Sequence, residues 1–120
     1  MTPDSVPSFV GAGAGLTPLG DDVVVGWLAL HRAAGLATPE VDDAVRRSLE
    51  RTTTLSATLL DCALEGEVAE PLRDHLTALG TPRETSARAR LEVWGASSGL
   101  GIAHGVDLAR AALADAEAAA

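Results

Sequence analysis

The sequence predicts an all-α fold, a compact bundle of about six helices, and three observations carry that prediction. Three Thr-Pro pairs, Thr17-Pro18, Thr38-Pro39 and Thr81-Pro82, each read as a helix start. Thr can cap an orphan N–H, Pro has its φ preset for the first turn, and the residue before Pro is pushed into the extended region a cap needs. Apolar residues then recur every three or four positions, which is the helical period. Nothing beyond the short Ser8-Phe9-Val10 reads as a strand.

The first helix should run from about Pro18 to Ala34 and stop at Gly35. Val23, Val24, Trp27, Leu28 and Leu30 make it apolar nearly all round, so it is the expected buried central helix. The second runs from Pro39 to about Glu50 with Val41, Val45 and Leu49 on one face. A third covers roughly Thr53 to Leu64, with Leu55, Leu59 and Cys62 as its stripe and Gly66 closing it. Leu72, Leu76 and Leu79 form a fourth stripe that ends at Gly80. The fifth, Pro82 to Trp94, opens on a capping box in which Glu84 follows Thr81 by three residues, and it aligns Ala87, Leu91 and Trp94. The last begins near Ser98 and carries Ile102, Val106, Ala109 and Leu113. Connections of a few residues favour antiparallel neighbours.

A chain of 120 residues and 12.2 kDa fits one domain over residues 1–120, with 1–8 as a flexible lead-in and 115–120 as a fraying tail. Nine basic residues against seventeen acidic ones leave a formal charge of −8. That is the wrong sign for neutralising nucleic acid or docking on anionic lipid, so neither is an expected partner. Hydrophobic residues at 47% exclude disorder by composition, and with no Tyr the core must be Ala, Leu and Val. A lone Cys62 forms no internal disulfide. Met1 to Pro7 lacks the basic start of a secretory signal, and the apolar run Val23–Leu30 is far below the roughly 20 residues a membrane span takes. A reducing, cytoplasmic location is expected.

Gly20 and Gly26 repeat the spacing of Gly99 and Gly105. Glycine inside a helix costs about 0.5–1 kcal/mol relative to Ala, and close helix approach is the usual reason for tolerating it. Gly26 and Gly105 are therefore expected to face each other.

The most distinctive segment runs from Gly11 to Asp22. Alternate glycines before a helix start, with Gly13, Gly15 and Thr17 as ligand-binding candidates, offer open backbone N–H groups and a positive dipole end to an anion. It is no P-loop, since the chain contains no lysine, and no dinucleotide fingerprint, since Leu16 stands where the third glycine belongs. A flexible lead-in to a capped helix reads the same residues equally well. Asp21 and Asp22 would repel a phosphate held there. A divalent cation such as Mg²⁺ bridging the two would reconcile them; alternatively one Asp accepts a proton from a substrate amide, or both are dipole-favoured helix-start acids.

Arg51 and Thr53 open the third helix among a run of hydroxyls and add candidate anion contacts. Ser97, Ser98 and Gly99 open the last helix with a second set of free amides, so the two glycine-opened entrances are expected to converge on one pocket. His31, His75 and His104 show no metal-ligand spacing with each other or with Cys62 and read as packing or surface residues.

The segment Gly11-Ala12-Gly13-Ala14-Gly15-Leu16-Thr17-Pro18-Leu19-Gly20-Asp21-Asp22 resembles the G-x-G-x-G-L-T-P-S-G-D-D motif of the AllH-like family. Thr52-Thr53-Thr54-Leu55-Ser56, with Glu65-Gly66-Glu67 after it, is similar to a second block of that family, and Gly95-Ala96-Ser97-Ser98-Gly99 through Gly105 to a third. Leu19 stands where the family commonly has Ser, Ala96 where it has His, and Gly101 where Asp is usual. Family members are also longer, with a further portion before the glycine loop. The resemblance implies carbamoyl transfer between carbamoyl phosphate and an amide such as oxamate, within a multi-subunit assembly. It makes Asp21 or Asp22 the base and the amides of Gly13 to Thr17 the phosphate holders. The competing expectation is a non-catalytic binding or assembly module, or a homo-oligomer formed through the alanine-rich last helix.

Overall fold

The computed structural model describes all 120 residues and is entirely helical. Its elements are α1 (Val6–Phe9), α2 (Leu19–Ala33), α3 (Pro39–Ser48), a 3-10 turn (Leu49–Arg51), α4 (Thr54–Leu64), α5 (Glu70–Ala78), α6 (Glu84–Glu92) and α7 (Ser98–Ala119). The six expected helices are present, and α1 is an addition. Residues 6–9 form a helical turn rather than a strand, and Val6 and Val10 are buried in the core, with Met1 packed against it. Within the first eight residues Val6 and Met1 meet the core, while Thr2, Asp4, Pro7 and Ser8 are exposed. At the other end, α7 runs to Ala119, with residues 114–120 exposed.

The central helix is α2, buried continuously from Gly20 to His31. Its main partner is α7, and the two meet backbone to backbone. A Cβ on Gly26 would collide with the Ile102 carbonyl, and one on Gly105 with the Val23 carbonyl. The glycines thus occupy one helix crossing, as their matched spacing predicts, and their missing side chains set how closely the helices approach. Val24, Leu28, Val106 and Ala109 extend the same core, while α3 adds Val41 and Val45 and α4 adds Leu60 and Ala63.

Two sequence expectations shift by small, explicable amounts. The buried face of α4 is Ser56, Leu60, Ala63 and Leu64, whereas Leu55 and Leu59, expected inside, are 48% and 38% exposed. The helix is turned by one residue, about 100°, because the Ser56 hydroxyl is drawn inward to donate to the Asp21 carboxylate. The Thr-Pro pairs mark helix starts without capping them. Thr38 donates to the Asp42 carboxylate at 2.7 Å, and Thr17 pairs with Ser98. Helix α6 starts only at Glu84, whose carboxylate accepts from the Gly80 N–H at 2.8 Å. Thr53, without a proline, is the residue whose hydroxyl caps its helix, accepting from the Ser56 N–H at 3.1 Å.

Helices α5, α6 and the middle of α7 form a second layer. Arg88 clamps Asp107 through two hydrogen bonds of 2.7 and 2.8 Å, and His75 lies fully buried beneath them. No helix is long and apolar enough to cross a membrane.

Candidate functional site

Adjacent acids at the start of α2 point different ways because consecutive helical residues are about 100° apart. Asp21 is fully buried and faces the glycine loop and α4. One carboxylate oxygen accepts from the Gly11 N–H at 2.7 Å; the other accepts from the hydroxyls of Thr52 and Ser56. With three donors and no exposed surface, this carboxylate pins the loop to α4 and presents nothing to a ligand.

Asp22 faces elsewhere, into a cavity of about 360 Å³. It is 3% exposed, and its Oδ2 is buried without a hydrogen-bond partner. Burial pushes its carboxyl up to about 7; the Ser98 hydroxyl pulls the other way, and the neighbouring Asp21 charge adds to the rise. Around it stand Thr17, Val25, Cys62, Trp94, Ser98 and Ile102, drawn from α2, α4, α7 and the loops before them. A buried carboxyl held near neutrality in a mostly apolar hollow can exchange a proton at physiological pH, which marks a functional-site candidate.

The two glycine-opened entrances do converge here. Thr17 and Ser98 share a hydrogen bond of 2.7 Å across 81 residues of sequence, and both line the cavity. Gly13 and Gly15 are exposed in the loop leading to Thr17, with positive φ of 122° and 89°. Ser97 is exposed at the head of α7, and Gly99 is buried where a Cβ would strike the Leu91 carbonyl. The remaining candidates lie elsewhere. Thr53 anchors the loop by donating to the Leu16 carbonyl and faces an outer hollow with Thr58 and Asp61. Arg51 is exposed, and its backbone carbonyl, not its guanidinium, abuts Gly11.

The expected pair of acids for Mg²⁺ is divided by this geometry, since Asp21 is occupied and Asp22 alone reaches the cavity. No cluster of three or more His, Cys, Asp or Glu residues is arranged to hold a metal ion. Cys62 and Trp94 line the cavity although each falls at the spacing of an apolar stripe. Their helical spacing is the same whether the stripe faces a core or a hollow, so spacing carried no signal for this role.

Fold and site define an all-α domain built on a glycine-seamed helix pair, with an acid-bearing cavity where its glycine loop meets the head of the last helix. More particularly, the chain belongs to the AllH family: the family model described as oxamate carbamoyltransferase subunit AllH matches residues 9–110. That span contains the glycine loop, both aspartates and the head of α7. No curated protein and no solved structure matches the chain.

Proposed function

We propose that this chain is the ligand-binding subunit of a cytoplasmic carbamoyltransferase assembly, and that Asp22 takes the proton from its amide nucleophile. The observation that carries the reading is the buried, unpartnered Asp22 Oδ2 facing a cavity inside the family's motif segment. An amide nitrogen is a poor nucleophile and needs a base beside it. In the transfer, the amide nitrogen attacks the carbamoyl carbon, the new N–C bond forms, and the C–O bond to phosphate breaks. Phosphate departs with the bonding pair, and the amide proton passes to the Asp22 carboxylate. A carboxyl held at about 7 suits a base working near neutral pH. The backbone of Gly13 to Thr17, exposed as far as Leu16 and reaching the cavity at Thr17, offers N–H groups to the phosphate of this small anionic metabolite.

A second reading, a binding or assembly module without turnover, is favoured by one observation. Ala96, at the family's usual His position, is exposed and brings no titratable group, and Gly101 brings no second acid. Melting the purified chain with and without oxamate and carbamoyl phosphate tests the shared claim. Ligand at 100 times Kd stabilises by about 2.7 kcal/mol, so the melting temperature should rise, and Asp22→Ala should abolish the rise. An unchanged wild type would overturn the first reading and the binding form of the second, leaving an assembly module. Phosphate release by the chain combined with its partner subunits then separates them.

A further inference from the structure

We propose that the Asp22 cavity receives an uncharged carboxamide group and rejects a carboxylate, so that Asp22 sets which end of a ligand enters and any anionic end stays outside. This deepens the reading of the cavity as the substrate site and rests on it. Eight of the twelve lining residues are hydrophobic, and none is Arg, Lys or His. The ionisable groups in the wall are Asp22, Glu67 and the Cys62 thiol. A carboxylate entering this space gives up its hydration, finds no cation, and confronts the Asp22 carboxyl at close range; like charges so placed repel, so it enters only where Asp22 has first taken up a proton. A primary carboxamide carries no charge to desolvate. Its N–H groups match the unpartnered Oδ2. Thr17 and Ser98 hold two hydroxyl protons, of which their mutual bond uses one, leaving the other for Asp22 or for the amide carbonyl.

Both protonation states of Asp22 accommodate the amide. The carboxylate accepts from the amide N–H, while the acid both accepts from it and donates to its carbonyl. A carboxylate ligand is tolerated by the acid form alone. An ammonium group also matches the Asp22 oxygen, but it brings three strongly hydrated donors into a wall that offers few acceptors.

The test uses the intact ¹⁵N-labelled chain and three isosteric probes, oxamide, oxamate and oxalate, with methylammonium as a fourth. Binding is followed at the backbone amides of Asp22 and Ser98. At about pH 8, oxamide and oxamate should bind alike and oxalate and methylammonium at least about tenfold more weakly. In Asp22→Asn, whose side-chain amide donates, oxalate should gain about tenfold relative to oxamide. Oxalate or methylammonium binding as tightly as oxamide to the wild type overturns the proposal. So does an unchanged ratio of oxamide to oxalate affinity in a folded Asp22→Asn.

A wild-type measurement makes the test independent of how that variant folds. Lowering the pH to about 5.5 should close the gap between oxamide and oxalate as Asp22 gains its proton; a gap that stays constant overturns the proposal. The other titratable groups around Asp22 are Cys62 on α4 and Glu67 in the following loop, which share its cavity, and Asp21, its neighbour on α2, whose charge reaches it although its side chain points elsewhere; α7 sets Ser98, Gly101 and Ile102 against it, none of them titratable. If oxamate binds with no amide preference, only this inference fails. If none of the probes binds, the reading of the cavity as the substrate site fails with it.

Discussion

The Cδ1 of Leu19 lies over Gly101, so close that a Cβ on the glycine would sit 2.7 Å from it and 2.9 Å from the Asp22 Cβ. These are two of the positions at which the motif resemblance sets Ser and Asp in place of the residues present here. The departures are paired in space, because the leucine fills room that an aspartate at 101 would need. Gly101→Asp alone should therefore destabilise the fold, by about 1–3 kcal/mol for overpacking. Adding Leu19→Ser should recover part of that loss. A double-mutant cycle by urea unfolding should give a coupling of about 0.5–3 kcal/mol; simple additivity would show that the two positions are independent.

At the crossing of α2 and α7, Gly105→Ala forces a methyl into the Val23 carbonyl. The expected cost is about 1–3 kcal/mol or more, since backbone must move. Gly15→Ala is a useful contrast. It has open space around it but a φ of +89°, so it should lose only the roughly 1–2 kcal/mol of left-handed strain. Urea midpoints of the two variants check the order.

Asp21 is expected to behave as an anchor rather than a reactive group. Asp21→Asn replaces one of two acceptor oxygens by an NH₂ that faces donors, and should cost about 2–4 kcal/mol. Thr52→Val and Ser56→Ala should each cost about 1–2 kcal/mol. Limited proteolysis should find residues 11–18 cut faster in all three, because the loop loses part of its tether.

The pH dependence of stability should contain two opposed contributions. Asp22 rises from 3.8 to about 7 on folding, so the folded state binds the extra proton between those values. Its contribution therefore falls as pH increases from about 4 to about 7. His75 is buried with both ring nitrogens unpartnered, and burial, then the nearby Arg88 charge, lowers its pKa from 6.5. The unfolded state then takes up the proton first, so stability falls as pH drops below about 6.5. Urea midpoints at several pH values should show Asp22→Asn removing the first trend and His75→Leu flattening the second. Parallel wild-type and variant profiles would refute the assignment.

Much of the helical frame was legible because helix period, glycine stops and close-approach spacing act locally. Gly35, for instance, ends α2 with a φ of +71° where the pattern says it should. The division of labour between Asp21 and Asp22 was not legible. It depends on hydroxyls from Thr52 and Ser56, more than 30 residues away, which claim one acid and leave the other to the hollow. The same bond turned α4 by one residue, placing Leu59 and Cys62 along the cavity although their spacing is that of a core stripe. The meeting of Thr17 with Ser98 was anticipated from the two similar entrances, yet Thr17 reads locally as a cap and serves instead as a bridge.

Gly26 lies four residues, about one turn, beyond Asp22, and Gly105 lies two turns beyond Ser98. The seam is thus a fulcrum for the two arms that carry the cavity walls. Spreading it by even the width of a methyl group would swing those arms apart and widen the gap that Thr17 and Ser98 now span. A change remote from the acid, one that touches no ligand, would then loosen the grip of the hollow as surely as replacing the acid itself.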